Sequence, residues 1–223
     1  MISIFKGRYL RLFLQYLPIK SVLSRLSYLN FVKMKFLLGL FMCIVFVVSS
    51  VAQLGNELSK AALELTKDKV VYDPGYYSMN YPNGDVPIGK GVCTDVVIRA
   101  FRKVGIDLQK EVHEDMKQNF SEYPKDWGLK STDKNIDHRR VPNLMKYFDR
   151  QGASLIISKN PIDYLPGDVV SWKLQNGMTH IGIVVDKKSI DEQRPLIVHN
   201  IGAGQVVEDC LFSFRITGHY RLN

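Results

Sequence analysis

The sequence predicts an α+β fold in which N-terminal helices pack on an antiparallel β-sheet or half-barrel. Up to Gly152, apolar residues recur every three or four positions, the spacing of one helix face. After Gly152 they fall instead into short runs rich in β-branched residues. Tight punctuators separate those runs: Pro166-Gly167, Asn176-Gly177 and Gly202-Ala203-Gly204. Helices followed by closely spaced strands imply an antiparallel sheet with helices on it.

The elements follow in order. Leu54 to Lys69 carries Leu58, Ala61, Ala62 and Leu65 at helical spacing. Tyr81-Pro82-Asn83-Gly84-Asp85-Val86-Pro87 is a turn-rich loop. A helix then opens near Cys93, with Val97, Ala100, Phe101 and Val104 on one stripe, and ends at Gly105. Asp107 to Phe120 reads as a second helix, and residues 121–140 as a polar connection. Val141 to Gly152 is a third, with Pro142 tolerated in its first turn and Gly152 at its end. Strands are expected at Ala153 to Ile157, Asp168 to Lys173, His180 to Val185, Leu196 to His199 and Phe214 to Arg221.

Residues 1–52 read as a targeting region. Met34-Lys35, the apolar run 36–48 and the small residues ending at Ala52 have the layout of a secretory signal peptide that starts at Met34 and is cleaved after Ala52. That run is shorter than the roughly 20 residues a membrane span needs, so no stable span is expected after cleavage. Seven of the 30 Lys and Arg lie in residues 1–53, which hold no Asp or Glu. The remainder has 23 basic against 22 acidic residues, a formal charge of +1 out of the whole chain's +8. The basic excess belongs to targeting and gives no argument for nucleic acid. The expectation is a secreted or periplasmic protein with a single domain over residues 53–223.

That domain keeps two cysteines, Cys93 and Cys210. In an oxidising compartment they offer a disulfide, the structural reading of Cys93. The chemical reading starts from its position. A thiol at a helix start meets free N–H groups and the positive end of the macrodipole, which lower its pKa. On the run Thr179 to Val185, alternation places His180, Gly182 and Val184 on one face, with Gly182 leaving room there for a close neighbour such as the Cys93 helix. His199 ends the next strand and falls beside His180 if the two strands pair. A thiol, an imidazole and a second ring that orients the first make a nucleophile, base and orienter.

The order Gly91-Val92-Cys93-Thr94-Asp95, Leu165-Pro166-Gly167-Asp168-Val169-Val170, His180-Ile181-Gly182-Ile183-Val184 and Ile197-Val198-His199-Asn200 resembles the NlpC-type, papain-like cell-wall cysteine peptidases. The resemblance implies Cys93 as nucleophile, His180 as base and His199 as orienter. It implies a hydrolase that cleaves an amide or peptide bond in peptidoglycan peptides, with no cofactor. The strings Asn135-Ile136-Asp137-His138-Arg139-Arg140-Val141-Pro142-Asn143-Leu144 and Val198 to Gly204 are similar to a group of secreted bacterial proteins classed as a domain of unknown function. Thr94-Asp95 replaces the serine-glycine that usually follows the cysteine in the cell-wall peptidases, which bears on substrate identity.

Other residues carry weaker signals. His138, Arg139 and Arg140 read as a paired or solvated loop, or as a substrate rim where arginine grips a carboxylate. Asp95 favours the helix dipole and is a second candidate substrate contact. Asp168 fixes a turn after Pro-Gly. Asn200 and Asp186 compete with His199 for the third position. Tyr72, Tyr76 and Tyr77 read as ordinary aromatics, and His113 and His219 have no evident partners. Cys93, His180 and His199 are also acceptable zinc ligands, which makes a zinc hydrolase an alternative. The sequence has neither HExxH nor a closely paired ligand motif, so no metal is assigned. A non-catalytic binding module on the same scaffold is the other alternative.

Overall fold

The computed structural model describes Lys35 and residues 53–222. The targeting region with its signal-peptide reading lies, Lys35 apart, outside the described residues. Residues 53–65 are helical (α1), with Leu58, Ala61, Ala62 and Leu65 buried on one stripe. Thr66, Lys67 and Asp68 then bond three residues back in a turn, so the helix stops short of the expected Lys69. The next helix is α2 (Cys93–Lys103), which ends where Gly105 takes φ +86 and donates to the Arg102 carbonyl. Asp107 caps α3 (Leu108–Gln118) by accepting from the amides of Gln109 and Lys110. Pro142 sits in the first turn of α4 (Val141–Arg150), and Gly152 at φ +70 lets the chain leave.

A five-stranded sheet follows: β3 (Val169–Lys173), β4 (Thr179–Lys188), β5 (Pro195–His199), β6 (Val206–Glu208) and β7 (Arg215–Tyr220), in the order β6-β5-β4-β3-β7. Every pairing is antiparallel, as the sequence predicts. A separate parallel pair joins β1 (Val71–Tyr72) to β2 (Lys90–Gly91), just before Cys93. These two-residue strands and the three-residue β6 are too short to show an alternation pattern in the sequence.

Alternation gives the sheet two faces. Val169, Ile181, Ile183, Val185 and Val198 pack with the buried stripes of α1, α2 and α4 in the main core. Val170, Trp172, Val184 and Ile197 pack on the other side with Tyr164, Cys210 and Leu211. The expected strand at Ala153 to Ile157 is not formed. Ser154 makes one bridge to Tyr220, Leu155 donates to the His219 carbonyl, and the chain then departs. Ile156 is 90 % exposed, so among the described residues this apolar run has no layer to cover it and nothing to hold it against β7.

Candidate active site

Cys93 is the first residue of α2 and is buried in the main core. Its helix packs on the Ile181, Ile183 and Val185 face, not on the expected His180 face. The first face offers apolar side chains to Val97 and Phe101. The second is already filled: a Cβ on Gly182 would lie 2.7 Å from Ile197 Cγ2 and 3.1 Å from His199 Cβ. Gly182 therefore makes room for the neighbouring strand, and specifically for His199.

The two histidines meet. His180 Nε2 lies 2.9 Å from His199 Nδ1, with the rings edge to face and both residues buried. The strand register explains this. Ile183 pairs with Val198, which sets Gly182 opposite His199 and puts His180 one diagonal step away on the same face. Trp172, directly opposite His180 on β3, packs its ring 5.7 Å from the imidazole. On its far side His199 Nε2 lies 3.0 Å from Glu208 Oε2 and 3.5 Å from Cys210 Sγ. No sequence motif marks Glu208; only the β5–β6 register brings it here.

Cys93 and His180 form no hydrogen bond among the described residues. They adjoin through the backbone: the amide of Ile181, next to His180, lies against the Cys93 thiol and favours its ionised form. Asn200 reinforces this placement, its Nδ2 donating to the Gly91 carbonyl at 3.1 Å and so tying the end of β5 to the segment that enters α2. That strap is its role in the fold. Asp186 is exposed, and its amide donates to the Ser59 hydroxyl oxygen at 2.8 Å. Tyr72 also stands close, its hydroxyl pKa raised by burial and then by Cys93 and Asp95. A depression of about 510 Å³ opens beside Tyr72, lined by Val71, Gly204, Gln205 and Val206 among others, without Cys93 or either histidine in its wall.

The electrostatics correct the expectation of an acidic thiol. Burial pushes Cys93 up to about 12, and outweighs the lowering by the amides of Ile181, Thr94 and Cys93 itself. Burial, with His199 beside it, pulls His180 down to about 3. The resting state is a neutral thiol and a neutral imidazole. His199 is lowered by burial and held up in part by Glu208.

The expected substrate contacts are placed elsewhere. Asp95 accepts from Arg139 at 2.9 and 3.0 Å in a bidentate pair, and from the Val92 amide at 2.7 Å. Arg139 spends its remaining donors on the carbonyls of Gly75 and Asp73. Both side chains are almost wholly buried, so they clamp the loop after β1 over the start of α2 and form no rim. His138 is buried with Nδ1 unpartnered among the described residues, and burial pulls it down to about 3. Arg140 is the half-buried member, its guanidinium 4.1 Å from the Trp127 ring. The histidines without evident partners have them: His113 pairs with Asp137 at 2.9 Å and His219 with Asp168 at 2.7 Å. Asp168 fixes its turn through the Leu165 amide and also takes Arg221. Cys93 and Cys210 are both free and belong to the cores on opposite faces of the sheet, which removes the disulfide reading. Among the described residues, the donors gathered closely enough for a metal are His199, Glu208 and Cys210, not Cys93, His180 and His199.

Residues 59–222 match the family model described as a domain of unknown function, DUF1287. This chain belongs to the DUF1287 family. It is 52 % identical over 175 residues to "Uncharacterized protein YijF" of Escherichia coli strain K12, covering 78 % of this chain and 85 % of that protein. Among solved structures, one of NlpC1 from Trichomonas vaginalis is similar at 14 % identity with a TM-score of 0.41, over 74 % of this chain and 44 % of that one.

Proposed function

We propose that this DUF1287 protein is an exported cysteine hydrolase, secreted or periplasmic, that cleaves an amide or peptide bond in peptidoglycan peptides. The observation that carries the reading is the buried His180–His199 pair at 2.9 Å, next in sequence to the amide that lies against a helix-start thiol. The motif order shared with the NlpC-type peptidases supports it. An ionised Glu208 accepts the Nε2–H of His199, whose Nδ1 then accepts the Nε2–H of His180. This leaves the Nδ1 lone pair of His180 as a base, and that nitrogen has no hydrogen-bond partner among the described residues.

The steps follow. The thiol lies on the Ile181 face of β4 and the imidazole on the opposite one, so the step needs the two side chains brought together at the start of that strand. Cys93 Sγ–H then gives its proton to His180 Nδ1 as the sulfur bonds to the substrate carbonyl carbon. The oxyanion meets free amides at the start of α2. The imidazolium returns the proton to the leaving amine as the C–N bond breaks. Water, deprotonated by His180, then cleaves the thioester and frees Cys93. General base catalysis of this kind contributes about 10²- to 10⁴-fold.

The test is incubation of the purified protein with peptidoglycan fragments. Wild type should release new amines, with Cys93→Ser inactive and His180→Gln reduced by about 10²- to 10⁴-fold. No release by wild type, or equal release by Cys93→Ser, ends the reading. One observation favours a non-catalytic module instead: thiol and imidazole are both neutral and unbonded to each other. On that reading all three proteins are equally inactive.

A further inference from the structure

We propose that His199, Glu208 and Cys210 form a binding site for a thiophilic divalent cation, Zn²⁺ first among them. Strand pairing builds it. Glu208 on β6 stands opposite Ile197 on β5, so it shares a face with His199, and Cys210 two residues later keeps that face. His199 Nε2 lies 3.0 Å from Glu208 Oε2 and 3.5 Å from Cys210 Sγ, and the three donor atoms fall within 4.8 Å of one another. With Zn–N and Zn–O near 2.0 Å and Zn–S near 2.3 Å, tetrahedral zinc needs N···O of about 3.3 Å and N···S of about 3.5 Å. The side chains need only small shifts to reach those edges.

Hydrogen bonding alone holds this cluster weakly: with the Nε2 proton given to Glu208, the Cys210 sulfur can only share it as a weak acceptor. Nε2 carries either a proton or a lone pair. If it donates to the Glu208 carboxylate, it cannot accept from the Cys210 thiol. A cation satisfies all three donors at once. The mix of S, N and O donors selects zinc over magnesium or calcium, which take oxygen. The support around it also fits. The other nitrogen of His199 is held by His180 at 2.9 Å, as metal-bound histidines are held. Trp172 Nε1 anchors the Leu211 carbonyl at 2.9 Å, fixing the loop that carries Cys210. The Glu208 side chain is 46 % exposed, which leaves an entry path and an open fourth position.

Occupancy would reverse the histidine relay, a consequence that rests on the hydrolase reading. Metal on Nε2 puts the His199 proton on Nδ1, which then donates to His180 Nε2. The Nε2 proton of His180 passes to His199, His180 Nδ1 takes a proton from solvent, and those of His199 Nε2 and the Cys210 thiol leave to solvent. One proton is released in sum. His180 then has no lone pair for Cys93, so the cation inhibits the hydrolase.

The test is titration of chelator-stripped protein with Zn²⁺ and with Co²⁺, read by binding stoichiometry and by thiolate-to-cobalt charge-transfer absorption. Wild type and Cys93→Ser should each bind one equivalent with that absorption. Cys210→Ser should lose the absorption, and Glu208→Gln should weaken binding at least tenfold. Glu208 is exposed enough that its variant carries the test if Cys210→Ser fails to fold. No stoichiometric binding by wild type, absorption that survives Cys210→Ser, or affinity unchanged in Glu208→Gln overturns the site. Loss of binding in Cys93→Ser also overturns it, by moving the metal to the nucleophile. None of these readouts uses hydrolysis, so the site and the enzyme reading fail separately.

Discussion

The Arg139–Asp95 cluster and the His180–His199 cluster are both buried and both built from ionisable side chains, yet they end differently. Every guanidinium nitrogen of Arg139 has a partner, and Asp95 accepts from Arg139 and the Val92 amide. The cluster is closed, and a closed cluster orders the chain. The histidine chain is open at both ends: His180 Nδ1 has no partner among the described residues, and at His199 Nε2 two groups compete for one position. Unspent bonding capacity in a buried place is where chemistry or a ligand has something to act on. Charge density along the sequence points the wrong way, since Asp137-His138-Arg139-Arg140 is the most conspicuous polar string and three of its four residues are buried in structural contacts.

The largest stability effect should come from opening the closed cluster. Arg139→Met leaves the Asp95 carboxylate buried and unpaired, and should cost about 3 to 5 kcal/mol in urea unfolding. Asp95→Asn combined with it should cost less than the two single losses together, because they share one interaction. A cost under about 1 kcal/mol for Arg139→Met would mean the pair is not closed as described.

Crowding the open cluster should do something different. Gly182→Ala places a Cβ against Ile197 and His199, and overpacking of this kind costs about 1 to 3 kcal/mol. It should also displace His199 and lower hydrolysis by more than the loss of folded protein accounts for. Activity falling only in step with folding would detach Gly182 from the site.

The buried thiol gives a pH signature. Cys93 is raised from 9.0 to about 12 in the folded state. Above pH 9 the unfolded chain gives up this proton while the folded one keeps it, so stability falls between those values, by at most about 1.4 kcal/mol per pH unit. Tyr147 and Tyr220 are raised by burial too and act in the same direction at higher pH. Comparison of wild type with Cys93→Ala between pH 8 and 11 isolates the thiol: wild type should lose stability faster, and equal slopes would contradict the burial argument. As a control remote from both clusters, Asp107→Ala should cost about 1 kcal/mol through loss of the α3 cap and leave hydrolysis per folded molecule unchanged.

Much of the fold was legible because local signals agreed with it. The stripes around Val97 and Phe101, the glycines after α2 and α4, and the alternation in Thr179 to Val185 each specify an element without tertiary help. Ala153 to Ile157 misled because β-rich composition does not reveal whether a second layer covers the run. The His180–His199 pairing was legible through strand alternation. The face on which the α2 helix packs is not legible, because Gly182 signals a close neighbour without naming it. Glu208 and Cys210 join His199 only through the β5–β6 register, which a three-residue strand does not announce. The thiol's acidity is not legible, because helix position reads from sequence whereas the depth of burial that outweighs it does not.

Proton transfer from Cys93 to His180 is the central step of the proposed hydrolysis, and alkylation of Cys93 measures it most directly. Mass-spectrometric mapping of the Cys93 peptide at neutral pH gives its rate in wild type and in His180→Gln. Burial makes the wild-type rate slow, and loss of the imidazole should lower it at least tenfold further. Equal rates in the two proteins would show that His180 takes no proton from Cys93.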